Sequence, residues 1–246
     1  MQTGPFTLAI DIGGSNIKAA VLDARGGVVA DKLRMPTPRP ATQAAVLEGI
    51  AALAARLPRV ERMSVGFPGV VRRGIVRTAA NLGSEEWRGF NLVEALARRF
   101  AVPARVLNDA AVQGLGVVEG HGLECVVTLG TGVGCAIFRN RRLLLHLELG
   151  YDAAIGQAAL EAIGTEAWNE RVIQALRAVM SLTACDMLYV GGGNARMLTS
   201  ELPRHARIVS NVAGVTGGVR LWEPEMDELF AGVPDAQRRA DWEGAS

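Results

Sequence analysis

The sequence predicts an α/β fold of two lobes with a central cleft, and three observations support this prediction. Apolar runs alternate with glycine-rich turns and helical stretches, the same plan of strand, glycine turn and two further strands occurs twice, and 246 residues suffice for two small cores. A duplicated plan indicates similar lobes, and ligands usually bind between lobes. We divide the chain into a first lobe over 1–110, a second over 111–222 and a charged tail over 223–246.

Three short apolar runs open the first half, and glycine turns separate them, which is typical of an antiparallel meander. A proline-rich connection over 36–40 then leads to a stretch with the helical spacing of Ala and Leu, for which Thr42 is a plausible N-cap. The predicted strands are Thr7–Asp11, Ile17–Leu22, Val28–Arg34, Met63–Val65 and Arg105–Leu107, and the predicted helices are Thr42–Leu57, Leu92–Phe100 and about Asp109–Glu119.

The second half repeats this order with little sequence in common, and its helices follow its first three strands. The predicted strands are Cys125–Leu129, Cys135–Phe138, Leu143–Leu147, Met187–Val190 and Ile208–Val209, and the predicted helices are Gln157–Ile163, Glu166–Leu182 and Ala213–Trp222. The residues after Glu223 are charged, so we expect a loosely packed tail.

Composition excludes several classes of protein. Hydrophobic residues make up 49% and charged residues 21%, which is typical of an ordered globular chain. The formal net charge of +1 argues against a nucleic-acid partner. A basic segment followed by an apolar run is missing from the N-terminal sequence, and no apolar run approaches the about 18 residues of a membrane span. We therefore expect a cytoplasmic protein without a membrane partner.

The three cysteines, Cys125, Cys135 and Cys185, are widely spaced. An odd and scattered set argues against a disulfide framework and fits reduced thiols in a cytosol. No Cys-x-x-Cys pair or clustered histidines occur in the sequence, so we expect no zinc site.

The first glycine-rich element joins two predicted strands and contains Asp11, Gly13, Gly14, Ser15 and Lys18. Paired glycines let the backbone approach a phosphate and turn N–H groups toward it. The serine adds a hydroxyl, the lysine adds a charge, and Asp11 is a candidate to hold Mg²⁺ through water. A simple hairpin turn is the alternative, but the flanking Asp and Lys favour phosphate binding.

Two further glycine-rich elements lie in the second half. The turn containing Thr128, Gly130, Thr131 and Gly132 is rich in donors, and with the first element it suits a polyphosphate chain gripped from both sides. The run Gly191–Gly193 ends a strand and precedes a predicted helix, where it could admit a flat base or an anion. A close-packed strand-to-helix turn is an equally good interpretation of that run alone.

Candidate catalytic and substrate-binding residues follow strand ends. Asp109 is the candidate base for a substrate hydroxyl and Asn108 a candidate sugar ligand, although both residue types are also favoured helix N-caps. Glu148 follows a predicted strand, where its carboxylate could bind two sugar hydroxyls or simply be solvated. The remaining candidate substrate-binding positions are Tyr151, Gly69 and Asn81.

Taken together, these motifs resemble the ROK family of bacterial repressors, open reading frames and sugar kinases. Its first phosphate motif, Asp-x-Gly-Gly-Thr-x-x-Lys, is similar to Asp11–Lys18, with serine in place of threonine, and its catalytic Asn-Asp looks like residues 108–109. Its second phosphate motif resembles 129–134, its adenosine-side glycine run resembles 191–193, and its closing helix resembles 213–218.

The resemblance covers about residues 7–222. It implies an actin-like ATPase (ribonuclease H-like) fold, phosphorylation of a hexose at a primary hydroxyl, Mg²⁺, and ATP or polyphosphate as phosphoryl donor. The repressor branch carries a winged-helix domain before the kinase-like part, whereas this chain starts at the first strand, so we expect no DNA binding.

Two departures from the family pattern matter. The family's sugar-binding Glu-x-Gly-His appears as Glu148-Leu149-Gly150-Tyr151, and its cysteine-rich zinc motif is absent. Zinc-free members include the polyphosphate-dependent glucokinases, whose segments look like 129–134 and 146–151, so we favour a glucokinase of that branch. A catalytically impaired sugar- or nucleotide-binding protein, and a kinase of a non-hexose substrate such as pantothenate, remain alternatives. The sugar, the donor and a homodimer are left open.

Overall fold

Two five-stranded sheets organise the computed structural model, which describes residues 4–79, 82, 85–148, 152–210 and 213–231. The elements of the first half are β1 Thr7–Ile12, β2 Asn16–Leu22, β3 Leu33–Pro36, α1 Gln43–Ala54, β4 Arg62–Phe67, β5 Val71–Arg72, β6 Ile75–Val76, α2 Leu92–Phe100, β7 Ala104–Asn108 and α3 Asp109–Leu115. The elements that follow are β8 Leu123–Leu129, β9 Val133–Arg139, β10 Arg142–Glu148, α4 Asp152–Ile155, α5 Gln157–Thr183, β11 Met187–Gly191, β12 Ala206–Ile208, α6 Ala213–Thr216 and α7 Asp227–Phe230.

The two sheets have equivalent strand orders, β3-β2-β1-β4-β7 and β10-β9-β8-β11-β12. In each sheet the first three strands in the sequence are antiparallel, and the fourth and fifth run parallel to the first. The duplicated plan read from the sequence is therefore present as two sheets. The central strands β1, β4, β8 and β11 are buried at most of their positions, as expected of strands in the middle of a sheet.

The third predicted strand begins later than expected. Residues Val28–Arg34 were expected to form it, but only an isolated bridge joins Val28 to Leu22, and β3 starts at Leu33. The preceding turn explains the difference. Its Asp23 carboxylate accepts hydrogen bonds from the N–H groups of Arg25 and Gly27, so the chain is held in a local turn before it can pair.

Helix α5 contains the break that the sequence indicated between Gln157–Ile163 and Glu166–Leu182. Gly164 has φ of 77° and ψ of 168°, which is not helical, so two helical segments meet there at an angle. The second segment buries Trp168, whose indole N–H donates to Ile155 O at 2.8 Å and ties the segment to α4.

Helix α3 lies between the two sheets. It contacts β4 and β7 of the first sheet and β8 and β9 of the second, and its side chains are buried along most of its length. The sequence placed the lobe boundary at residue 110, which falls inside this helix. Because α3 belongs to the core of both halves, it fixes residues at its start relative to both sheets.

The C-terminal part of the described chain packs against the first sheet. A 3-10 helix spans Gly217–Trp222, where Gly218 O accepts from Ser64 Oγ at 2.7 Å and the Trp222 indole donates to the same Oγ at 2.9 Å. The next turn is also ordered, since Met226 is buried and Asp227 pairs with Arg105 at 2.7 Å. In the described part of the chain, no helix is long and apolar enough to cross a membrane.

Candidate active site

A cavity of about 380 Å³ lies where the two halves meet. Both predicted hairpins and Asp109 contribute to its wall, as the two-lobed fold with a cleft requires. The lining residues are Asp11, Gly13, Gly14, Ser15, Asn16, Lys18, Arg34, Pro68, Asp109, Gln113, Thr128, Gly130, Thr131, Gly132, Val133, Gly134, Gln157, Gly192, Gly193, Asn194 and Arg196.

The first hairpin connects β1 to β2 and is shaped by hydrogen bonds to its carbonyl groups. Thr37 Oγ1 donates to Gly13 O at 2.6 Å, an Arg39 guanidinium N–H donates to Gly14 O at 2.8 Å, and Thr37 N donates to Ser15 O at 3.0 Å. Because these carbonyls are fixed by residues that follow β3, the orientation of the hairpin peptides is set by tertiary contacts.

Asp11 and Lys18 face each other across β1 and β2. They are directly opposed in the antiparallel register, and Lys18 Nζ donates to Asp11 Oδ2 at 2.7 Å. The carboxylate is 15% exposed and the ammonium 43%, so the pair lies at the edge of the cleft. The first hairpin therefore brings one fixed negative and one fixed positive charge to the cavity.

The second hairpin connects β8 to β9 and is held by hydrogen bonds to Gly130. Gly130 N donates to Gly132 O at 3.0 Å across the turn, while Gly130 O accepts from Gln157 N at 2.9 Å and from Asn194 Nδ2 at 3.2 Å. The start of α5 and the segment after β11 thus hold this turn in place. Its own residues bring hydroxyl and amide donors to the cavity, and no charge.

The two hairpins touch each other across the cleft. Ser15 Oγ and Thr131 Oγ1 are 3.1 Å apart, within hydrogen-bonding distance. A Cβ atom on Gly14 would lie 3.0 Å from the Thr131 side chain, so glycine at this position allows the approach. The interpretation that two hairpins grip one ligand from both sides is consistent with this spacing.

The third glycine run is a tight turn that leads into a short 3-10 helix at Ala195–Met197, and not into the predicted α-helix. Gly192 has φ of +88°, and a Cβ atom there would lie 2.2 Å from Leu129 O, whereas nothing lies within 4 Å of the position that a Cβ atom on Gly193 would take. The close-packed turn that the sequence offered as an alternative is therefore present at Gly192. The run does not form an anion site at a helix N-terminus, because a 3-10 helix of three residues has only a small helix dipole.

Asn108 and Asp109 have different structural roles. Asn108 is the N-cap of α3: its Oδ1 accepts from Ala110 N at 3.0 Å and Ala111 N at 3.3 Å, and its Nδ2 donates to Gly69 O at 3.2 Å. Its side chain is 2% exposed and does not line the cavity. Asp109 is the first helical residue, and its carboxylate accepts from Ala110 N at 2.8 Å and lines the cavity.

Glycines on both sides give Asp109 its position. A Cβ atom on Gly66, at the end of β4, would lie 3.3 Å from the Asp109 Cα. A Cβ atom on Gly134, at the start of β9, would lie 2.8 Å from Ala110 Cβ and 3.8 Å from an Asp109 carboxylate oxygen. Both sheets therefore approach the start of α3 closely, which places the carboxylate between the two hairpins.

Several candidate substrate residues are not in the cavity wall. Gly69 O accepts a hydrogen bond from the Asn108 amide. A Cβ atom on Gly69 would lie 2.1 Å from Thr78 O, so only glycine allows this close packing. Asn81, Tyr151 and the side chain of Glu148 lie outside the residues that the structure describes. Among the described residues, no group of three or more His, Cys, Asp or Glu side chains is arranged to hold a metal ion.

The cavity also contains polar and charged residues to which sequence reasoning gave no functional role, namely Asn16, Arg34, Gln113, Gln157, Asn194 and Arg196. Gln113 was within reach of a sequence argument, because it follows Asp109 by four residues and shares its helix face. The two arginines carried no local signal. They enter the wall only because β3 and the turn after β11 are brought to the cleft by strand pairing.

Comparison with known proteins supports the resemblance. The model of the ROK family matches residues 7–166. A polyphosphate glucokinase of Mycobacterium leprae is 31% identical over 235 residues, covering 85% of this chain and 72% of that protein. The polyphosphate glucokinase of Mycobacterium tuberculosis strain H37Rv is 30% identical over 233 residues, covering 85% and 88%.

Solved structures agree with this result. The inorganic polyphosphate/ATP-glucomannokinase from Arthrobacter sp. strain KM superposes with a TM-score of 0.80 at 28% identity, covering 88% of this chain and 98% of that one. A ROK glucokinase from Streptomyces griseus, solved with glucose and AMPPNP, gives a TM-score of 0.71 at 21% identity, covering 88% and 98%, and supports the fold alone. The chain therefore has the actin-like ATPase fold and belongs to the ROK family.

Proposed function

We propose that this protein is a hexose kinase, which transfers a phosphoryl group from ATP or polyphosphate to a sugar hydroxyl with Asp109 as general base. One observation carries the proposal: the Asp109 carboxylate and both glycine hairpins line the same cavity. The similarity to polyphosphate glucokinases over 85% of this chain supports the same activity.

Asp109 has the geometry expected of a proton acceptor. Its carboxylate accepts a hydrogen bond from Ala110 N, which restricts its orientation, and the cavity gives it access to a ligand. A positioned base takes the proton of the attacking hydroxyl as the bond to phosphorus forms, which contributes roughly 10²- to 10⁴-fold in rate. Phosphoryl transfer otherwise depends on positioning and charge neutralisation.

The phosphoryl donor would be bound by groups from both halves. The backbone and hydroxyl donors of the hairpins, including Ser15 and Thr131, suit phosphate oxygens, and Lys18, Arg34 and Arg196 supply positive charge in the same wall. An elongated run of phosphates and the triphosphate of ATP present the same oxygens to these groups. The proposal therefore keeps both donors.

The residues at the first hairpin fit a magnesium ion held through water. Asp11 is a cleft carboxylate with one oxygen engaged by Lys18, beside the Ser15 hydroxyl, and Mg²⁺ favours such sites with one or two carboxylates plus phosphates. A bound ion would neutralise charge on the donor phosphates. The role of Asp11 as its ligand is part of this proposal.

The sugar site is also a proposal. We assign the hexose to Glu148, Tyr151 and Asn81 from the sequence pattern, with Tyr151 in the place of a histidine, whereas Asn108 and Gly69 are bonded to each other and support the start of α3. A site built to hydrogen-bond hydroxyls discriminates strongly when one partner changes. We therefore expect Tyr151→His to alter the KM for glucose, and an unchanged KM and turnover would remove Tyr151 from the site.

A homodimer is the proposed assembly. On the edge strand β10, Leu144, Leu145 and Leu147 are 40–52% exposed, and a second copy of the chain would cover them. Sedimentation velocity over a range of concentrations tests this, with Leu145→Lys as the variant. A monomer at all concentrations contradicts the proposal.

The activity is tested by a screen of acceptors and donors with Mg²⁺ present. Hexoses, N-acetylhexosamines and pantothenate are each assayed with ATP and with polyphosphate, and the sugar phosphate formed is measured directly. We expect a hexose phosphate with at least one donor. Phosphorylation of pantothenate alone, or of no acceptor, would refute hexose kinase activity.

A further inference from the structure

The side chain of Gln113 is the unexplained polar group in the cavity wall. It lies in α3, four residues after Asp109, and is only 6% exposed. Its Nε2 atom is buried and has no hydrogen-bond partner among the residues that the structure describes. Buried side-chain donors are nearly always paired in folded proteins, so this one requires an explanation.

The surrounding backbone makes room for this amide. A Cβ atom on Gly191 would lie 2.1 Å from Gln113 Nε2 and 2.8 Å from Cδ, so only glycine at the end of β11 leaves space for the side chain. Gly191 is paired with Thr128 of β8, and both strands end at the cavity. The amide is therefore held where the second hairpin and the Gly192 turn meet.

A comparison with Asn169 shows how this fold treats a structural amide. Asn169 is also buried, and its Nδ2 donates to Thr165 O at 2.8 Å and Met197 O at 2.9 Å, while its Oδ1 accepts from Thr199 N and Ser200 N. Every polar atom of that side chain is used inside the protein. Gln113 Nε2 is also buried but has no acceptor in the described chain.

The chemistry of the cavity near Gln113 suits an anionic ligand. Thr128 and the Gly130–Gly134 turn present hydroxyl and N–H donors, and Arg196 adds a positive charge. An N–H donor beside other donors needs an acceptor from outside the protein, and phosphate oxygens are acceptors without protons to donate. A sugar hydroxyl is both a donor and an acceptor, so it suits a wall of N–H and hydroxyl donors less well than a phosphate oxygen does.

We propose that the Gln113 side chain rotates when the phosphoryl donor binds, so that its amide N–H, which no described residue accepts in the free protein, donates a hydrogen bond to an oxygen of that ligand. The inference rests on the proposed function for the identity of the ligand. Gln113 is then a residue that binds the phosphoryl donor through one of its phosphate oxygens, next to the hairpins that bind the other phosphate oxygens.

The test is Gln113→Met, which keeps the length and volume of the side chain and removes the amide. Binding of tripolyphosphate and of the non-hydrolysable ATP analogue AMPPNP is measured by calorimetry with Mg²⁺ and without sugar. We expect affinity for at least one of these ligands to fall roughly tenfold or more, since a hydrogen bond to a charged acceptor is lost. The KM for the sugar should stay within about twofold of wild type.

The melting temperature of the ligand-free variant separates binding from structure. Because Met replaces a buried donor that has no partner, the free Gln113→Met protein should melt at the wild-type temperature or above it. A structural amide would give a lower melting temperature instead. Gln113→Glu provides a second variant, in which a carboxylate beside the phosphate oxygens should weaken binding further than Met does.

Gln43→Met is the matched control. Gln43 begins α1 outside the cavity, and its amide donates to Glu86 O, so its loss should leave the affinity for both phosphate ligands unchanged. The inference would be overturned if Gln113→Met bound both phosphate ligands with wild-type affinity. It would also be overturned if the KM for the sugar rose while the affinity for these ligands stayed the same. Wild-type protein that binds tripolyphosphate through Gln113 but phosphorylates no hexose would refute the proposed function and leave the inference standing.

Discussion

The two halves of the molecule share a strand order but bring different chemistry to the cleft. The hairpin of the first sheet carries the Asp11–Lys18 ion pair, and the last strand of that sheet delivers Asp109. The hairpin of the second sheet carries Thr128, Thr131 and glycines, which are neutral donors. One backbone plan thus carries two kinds of group: charged side chains in the first hairpin and neutral hydrogen-bond donors in the second.

The two hairpins are also supported differently. The first hairpin has its carbonyls fixed by Thr37 and Arg39, so its turn is rigid around two charged strand positions. The second hairpin is fixed through Gly130 O by hydrogen bonds from Gln157 N and Asn194 Nδ2, and both of these residues also line the cavity. Equivalent backbones therefore do not predict equivalent roles, and the comparison can be tested by substitutions on each side.

The largest expected effect is that of Asp109→Asn. Turnover should fall by roughly 10²- to 10⁴-fold because the proton acceptor is lost. Stability should change little, since Asn108 and not Asp109 is the N-cap, and an Asn side chain can still accept from Ala110 N. Turnover, sugar affinity and melting temperature are measured together on the purified variant.

The control for this prediction is Asn108→Ala. It removes the cap of α3 and should lower the free energy of unfolding by about 0.5–2 kcal/mol. If Asp109→Asn kept near wild-type turnover on the true substrate, the general-base mechanism would be wrong.

A smaller effect should distinguish the two hairpins directly. Lys18→Met removes a charge from the first and should raise the KM for the phosphoryl donor roughly tenfold or more, because hydrogen bonds from charged groups contribute about 1.5–3 kcal/mol. Thr131→Val removes a neutral hydroxyl from the second, which is worth about 0.5–1.5 kcal/mol, so its KM should rise less. Steady-state kinetics at two salt concentrations measure both. Equal increases in KM would contradict the proposed difference between the charged first hairpin and the neutral second hairpin.

Substitutions in the turn after β11 should change the free energy of unfolding by different amounts at two neighbouring glycines. Gly192→Ala forces a side chain onto a residue with φ of +88° and 2.2 Å from Leu129 O, so we expect a loss of about 1–3 kcal/mol or more. Gly193→Ala is the control: nothing lies within 4 Å of the position that its Cβ atom would take, and we expect a change of about 0.5 kcal/mol at most. Urea unfolding compares them, and equal losses would contradict the close packing at Gly192.

The smallest effect concerns the edge strand of the second sheet. Burial lowers the pKa of His146 below its usual value near 6.5. The stability contributed by its neutral form is present above the unfolded-state pKa and is lost as the pH falls through it toward the folded-state pKa. The melting temperature of wild type should therefore decline more steeply between pH 7 and pH 5 than that of His146→Gln. Parallel curves would show that His146 is fully solvated.

Several features were readable from the sequence because they depend on local patterns. The strands that contain Asp11, Asn108 and Thr128 were placed within one or two residues, since apolar runs bounded by glycines are a local signal. The repetition of this pattern predicted two sheets and a cleft, and the order of the motifs predicted the family. Asp109 was selected because it follows a buried strand directly.

Other features depended on residues that are far apart in the chain. The contact of Ser15 with Thr131 joins residues separated by 116 positions, and Trp222 reaches Ser64 across 158. The missing partner of Gln113 Nε2 among the described residues could not be read from the sequence around it, because the amide packs against Gly191 at the end of β11. Local preference determined the strands and turns of this protein, whereas the packing of both sheets around α3 decided which side chains share the cleft.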